Sequence, residues 1–266
     1  MDLKLVGKTA IVTGGSTGIG LAVAKELYRE GVNVLIAARD GRRLESAVDA
    51  IKAEQSIYPK PRVVGISVDL SQADTPSRII DSALKHFERI DILINNAGSA
   101  KAGAFFSMPE QTLLDAWNLK LLGYIRMVKE VAPIMMANKD GRIVNIIGGA
   151  GRTPNPSFLA GSTANAALIN FTKGISKELA NYHVRINAIS PGHTATERAE
   201  RQVEQHALAN GISVAEQKAQ SIASIPLGRM VEPAEIAAMA ALLVSDRAAS
   251  ITGIEIVIDG GQQPGI

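Results

Sequence analysis

An apolar run, KTAIVT, leads directly into TGGSTGIG at 13–20. Gly14, Gly18 and Gly20 allow such a turn to tighten and its backbone to approach a pyrophosphate, with Ser16, Thr17 and Ile19 completing the loop. A helix starting near Gly18 would offer free N–H groups and the positive end of its dipole. The competing reading is a tight loop with no ligand. A second apolar run, NVLIAA, ends at Ala37, Ala38, Arg39 and Asp40. At this point in dinucleotide-binding folds an acid holds a ribose 2′-hydroxyl, whereas an arginine suits a 2′-phosphate. Arg39, with Arg42 and Arg43 one turn on, therefore favours NADP over the alternative, NAD; the competing reading leaves the three arginines solvated. Asp69, in the SVDL that closes the third run, is placed either to accept from an adenine amino group or to cap the chain that follows.

The elements that must position these residues alternate regularly. Strand-length apolar runs (KTAIVT, NVLIAA, RVVGISV, DILIN, RIVNII, VRINAIS, EIVI) are separated by stretches of helical period at 18–30, 42–54, 77–87, 109–137, 159–181 and 233–243. Strands that are apolar throughout, each followed by a helix, predict a parallel sheet covered on both faces. The fold class expected is α/β, one doubly wound domain over 1–266, with ligands at the carboxyl ends of the strands. One long connection, 193–232, carries helical patterns at 195–208 and 215–222 and is expected to form a lid or substrate pocket.

Composition narrows the function classes. The 28 Lys+Arg are interleaved with 26 Asp+Glu for a net charge of +2, so no basic patch marks a nucleic-acid or anionic-membrane partner. With no cysteine, disulfides, zinc–thiolate centres and thiol nucleophiles are excluded, and no metal site is expected. The start of the chain does not read as a targeting peptide, and no stretch is long and apolar enough to span a bilayer. A cytoplasmic protein is expected.

TGGSTGIG, Asn95-Asn96-Ala97-Gly98, VRINAISPG at 184–192, IPLGR at 225–229 and IDGG at 258–261 together resemble the short-chain dehydrogenase/reductase family over nearly the whole chain. The resemblance implies an NAD(P)-binding Rossmann domain with a seven-stranded parallel sheet, acting on a small-molecule carbonyl or alcohol. It also implies a homodimer or homotetramer packed through the helices at 109–137 and 159–181. By carry-over, Asn95, Ala97 and Gly98 would line the cofactor, while Pro191, Gly192 and Thr194 would fold over the nicotinamide.

The family's chemistry uses a tyrosine that exchanges a proton with the substrate oxygen, a lysine four residues later, a serine that orients the carbonyl and an asparagine that holds a water relay. Counting back from Ala166-Ala167-Leu168 puts Asn165 in the lysine position and Gly161 in the tyrosine position; the serine position, thirteen residues earlier, is Gly148. Alignment on Gly123 gives Lys120 at the asparagine position, with Asn118 two residues out of register. All four members are thus replaced, and Asn165 is left as a possible cofactor contact.

Lys120, the one new ionisable group, could do acid–base or imine chemistry if a dry cleft lowers its pKa; its competing role is a hydrogen bond to Asn165 or to backbone carbonyls. Tyr124, one turn later, would rebuild a Tyr/Lys pair or simply pack in the core. His193, after Pro191-Gly192, is a third candidate acid, or a loop hydrogen-bonder. The expectation is an NADP-dependent oxidoreductase with a non-standard proton donor. The alternative is a non-redox member of the fold, either a lyase using Lys120 or a catalytically silent nucleotide-binding or partner protein.

Overall fold

The computed structural model describes residues 2–56, 58 and 61–264. Its strands are β1 (Thr9–Thr13), β2 (Asn33–Ala38), β3 (Val63–Ser67), β4 (Ile92–Asn95), β5 (Gly141–Ile146), β6 (Val184–Pro191) and β7 (Glu255–Ile258). They form one parallel sheet in the order β3-β2-β1-β4-β5-β6-β7. Strand order reverses between β1 and β4, which opens a crevice at their carboxyl ends. This is the doubly wound α/β fold expected.

Helices α1 (Gly18–Arg29), α2 (Gly41–Lys52), α3 (Thr75–Phe87), α4 (Glu110–Ala116), α5 (Gly123–Ala137), α6 (Leu159–Ala180), α7 (Glu197–Asn210), α8 (Val214–Ala223) and α9 (Pro233–Val244) connect the strands. The core lies in two layers, because side chains of a strand alternate between faces. Val12, Ile36, Ile94 and Val144 pack beneath Val23, Leu27, Ile236 and Ala240 of α1 and α9. On the opposite face Ile11, Leu35, Leu93 and Ile143 meet Ile79, Met127, Val131 and Leu179 of α3, α5 and α6. Among the described residues no helix is long and apolar enough to cross a membrane.

Two details depart from the sequence reading. The edge strand β3 is not buried throughout: its burial alternates, with Gly65 and Ser67 exposed, as one uncovered side allows. The single helix expected at 109–137 is interrupted by a π-helical turn at Trp117–Leu122, the residues that carry Lys120. That turn is tied to α6 by the Trp117 indole N–H, which donates to Thr163 Oγ1 at 2.9 Å. Asn118 is turned away from the crevice, donating to the Ser71 carbonyl at 2.9 Å and accepting from Arg126.

At the amino ends of the strands Asp91 joins β1 to β4. Its carboxylate accepts from the Thr9 N–H at 2.8 Å and from Arg89, and its own N–H donates to the Thr9 carbonyl. Asp91 is 4% exposed and Thr9 fully buried, so removing the carboxylate strands a buried donor. Asp91→Ala should lower unfolding stability by about 2–4 kcal/mol, read as a drop in denaturant midpoint at unchanged slope.

Candidate active site

A cleft of about 500 Å³ opens at the carboxyl ends of β1, β2 and β4 and is closed on one side by α7. Gly14 and Gly18 both have positive φ, +65° and +54°, which a side chain would strain. A Cβ on Gly14 would also lie 2.9 Å from Ala97 Cα, and one on Gly20 would stand 2.3 Å from the Gly14 carbonyl. These glycines are therefore required by the turn itself. No side chain caps the amino end of α1 that the turn feeds, so a dinucleotide pyrophosphate fits this edge of the cleft.

Asn96 locks the turn. Its amide nitrogen donates to the Thr13 and Gly14 carbonyls at 3.1 Å each, and its N–H to Thr13 Oγ1 at 2.9 Å. The sequence reading named Asn95 instead, and there the structure corrects it. Asn95 is fully buried, with its amide turned into the core on Asn145 Oδ1 at 3.0 Å, while Asn96, Ala97 and Gly98 face the cleft. Asp69 lies just beyond the end of β3, and its carboxylate caps the chain that follows by accepting from the Ser71 N–H at 2.9 Å.

Ser16, Thr17, Ile19, Arg39 and Arg43 line the same cleft. Asp40, the acid at the end of β2, is engaged in capping α2 through the Arg43 N–H. Pro191 and Thr194 are buried beside Gly192, which packs against Asp259; it is Thr196, two residues past Thr194, that reaches the cleft wall. His193 is surface-exposed, and its ring titrates below its usual value because of partial desolvation and the nearby His206. His206 stands on α7.

The four positions carried over from the family converge on the end of β5. Gly148 has φ +136°, and a Cβ built on it would sit 3.1 Å from Asn165 Nδ2. Asn165 is 3% exposed and its Oδ1 has no hydrogen-bond partner among the described residues. Gly161 lies under the ring of Phe158, whose Cε1 would be 2.1 Å from an added Cβ. Phe158, unnoticed in the sequence, therefore fills the space a side chain at 161 would need. Lys120 comes in from the π turn, its stem against Gly98, and its ammonium donates to the Ile147 carbonyl. Desolvation, with repulsion from Arg198 second, brings its pKa down to about 7.

Tyr124 does not form the expected pair with Lys120. It is 2% exposed, its hydroxyl donates to the Ile146 carbonyl at 2.8 Å, and burial pushes its titration far above the usual tyrosine range. The core-packing reading holds for Tyr124, and the backbone-carbonyl reading for the hydrogen bond of Lys120.

Residues 8–207 match the family model described as short chain dehydrogenase. The chain belongs to the short-chain dehydrogenase family. It is 33% identical to the NADPH-dependent reductase BacG of Bacillus subtilis (strain 168) over 97% of this chain and 99% of that protein. It is 34% identical to oxidoreductase UcpA of Salmonella typhimurium over 97% of this chain and 95% of that one. Among solved structures, L-sorbose reductase from Gluconobacter frateurii, complexed with NADPH and L-sorbose, superposes with a TM-score of 0.94 at 26% identity over the whole of both chains.

Two measurements check this geometry. Gly161→Ala should force the Phe158 ring aside at a cost of about 1–2 kcal/mol, and the cost should largely vanish in a Phe158→Ala background; equal costs in both would place the ring elsewhere. For Lys120, the folded pKa of about 7 lies below the ordinary lysine value of 10.5. Its burial penalty is then complete below pH 7 and fades toward pH 10.5, where the unfolded chain also loses the proton. Lys120→Met should accordingly be the more stable protein at pH 6, with the advantage shrinking as pH rises to 10, as read from denaturant midpoints.

Proposed function

We propose that this short-chain dehydrogenase is an NADPH-dependent reductase of carbonyl substrates, in which the Lys120 ammonium takes the proton-transfer role that its relatives give to a tyrosine. The observation that carries this reading is the pairing of Lys120 with an apolar Phe158–Gly161 contact. Where the resemblance implies a hydroxyl there is a phenyl ring over a glycine, and the ionisable group of matched pKa is Lys120, whose stem backs Gly98 of the cleft wall. A general acid works best with a pKa near the working pH, which about 7 satisfies.

The preference for NADPH rests on Arg39 and Arg43 at the end of β2, on the engagement of Asp40 in the cap of α2, and on the NADPH named for BacG and L-sorbose reductase. The glycine turn and the start of α1 would hold the pyrophosphate, and Asn165 Oδ1, buried and without a partner, suits a ribose hydroxyl. When bound, the cofactor supplies hydride. Lys120 Nζ holds the proton destined for the substrate oxygen, the Ile147 carbonyl orients that ammonium, and Phe158 keeps water from the opposite side. The segment 193–232 serves as the lid, since Thr196, Glu197, Arg198 and Arg201 from it line the cleft. Subunits pair through α4–α6, where Leu114 and Leu122 stand exposed.

A non-redox reading has one observation in its favour, because an amine with a pKa of about 7 is also suited to imine formation. Turnover separates the two. The purified protein should oxidise NADPH against a carbonyl panel, and Lys120→Met should lower kcat by about 10²–10⁴-fold. Because the protonated lysine is the donor, the wild-type rate should fall as pH rises through about 7, and the variant should lose that limb. NADPH binding without oxidation, together with borohydride trapping of a carbonyl compound on Lys120, would establish the lyase instead.

A further inference from the structure

Arg198 stands where a cation is disfavoured. It is in the first turn of α7, at the positive end of the helix dipole, whereas its neighbours Glu197 and Glu200 suit that end. Glu197 is already shared by Arg43 at 3.6 Å and Arg201 at 3.4 Å, and Arg198 enters no ion pair among the described residues. Its guanidinium instead crosses the cleft to donate to the Gly98 carbonyl at 3.1 Å.

Lys120 flanks the same glycine. A Cβ on Gly98 would be 2.9 Å from Lys120 Cδ, and beyond it the ammonium rests on the Ile147 carbonyl. The Arg198 guanidinium and the Lys120 stem thus reach Gly98 from different walls. The charged group that acts on Lys120 is Arg198, and the one that acts on Arg198 is Arg201, so each feels repulsion with no carboxylate to relieve it. Bringing two like charges together in a partly dry cleft is unfavourable, and an anion between them would reverse the sign of the interaction. The carbonyl dipoles of Gly98 and Ile147 are weak substitutes for such an anion. Arg198 lines the same cleft as the glycine turn, Arg39 and Arg43, the groups that the reductase reading assigns to the phosphates of the dinucleotide.

We propose that Arg198 and Lys120 seat a carboxylate of the substrate, so that the protein acts on carbonyl acids in preference to neutral ketones or aldehydes. This rests on the reductase reading for the carbonyl, but the seat itself is tested by binding alone. A guanidinium suits a carboxylate because its fixed fork can donate two parallel N–H groups, and Lys120 can then direct its remaining protons toward the adjoining oxygen of the substrate.

The experiment is calorimetric titration of the full chain, with and without NADPH, using straight-chain and aryl 2-oxo acids alongside their methyl esters. At least one acid should bind tenfold or more tightly than its ester. Arg198→Gln should abolish that difference, Arg198→Lys should restore part of it, and the Kd for NADPH should stay within about twofold in both variants. The proposal is overturned if no acid binds more tightly than its ester, or if Arg198→Gln weakens NADPH and leaves the acid preference intact, which would assign the arginine to the cofactor. Turnover, assayed separately, decides the redox reading without bearing on this one.

Discussion

The carbonyls of Ile146 and Ile147, where β5 runs out of the sheet, are the constraint on which the site depends. A buried carbonyl needs a donor, and here two consecutive ones are served by side chains from the same helical segment, the Tyr124 hydroxyl and the Lys120 ammonium. Because Tyr124 lies on α5 and Lys120 in the π turn before it, the pair fixes both the depth and the rotation of that segment against the strand. The neighbouring contacts follow from this arrangement: Gly148 comes next in the chain, Asn165 packs on it from α6, and Gly98, in the cleft wall, rests on the Lys120 stem. π turns occur disproportionately at functional sites for this reason, since one extra residue in a turn re-aims a side chain without moving the helix as a whole.

Much of the scaffold was legible because buried parallel strands have to be apolar and each must be followed by a covering helix. The runs NVLIAA and RIVNII could hardly be anything else. What escaped the reading depends on direction more than identity. Asn95 and Asn96 are adjacent at the end of a strand, so their side chains leave on opposite sides, and choosing the wrong one exchanges the core for the cleft. The π turn has no compositional mark, and 109–137 reads as one continuous helix. Phe158 meets Gly161 through a fold of the chain just before α6, which residue spacing does not reveal. Arg198 drew no reading from the sequence, because its partner, the Gly98 carbonyl, is a hundred residues distant along the chain.

The replacements also make sense as a set. A glycine at 148 with φ +136° is a conformation that a serine would hold only under strain of about 1–3 kcal/mol, and a glycine at 161 is needed beneath the Phe158 ring. The two glycines therefore belong to a rebuilt local packing, and their hydroxyl-bearing counterparts could not simply be put back one at a time. On the register read from the sequence, Lys120 stands at the family's asparagine position and Asn165 at its lysine position, which would exchange a cation and an amide between facing elements.

This exchange links the proposed proton transfer to the proposed carboxylate seat. With Arg198 as its nearest charge, Lys120 has a pKa of about 7 and is only part-protonated at neutral pH. A carboxylate settling between the two cations would replace repulsion by attraction, which raises the lysine's pKa and loads the proton when substrate is present. Departure of a neutral product oxygen with that proton returns the lysine to its low-pKa state, ready to be recharged from solvent. An amine of shifted pKa beside an arginine, otherwise an electrostatic liability, thereby becomes a donor whose protonation is governed by occupancy of the site.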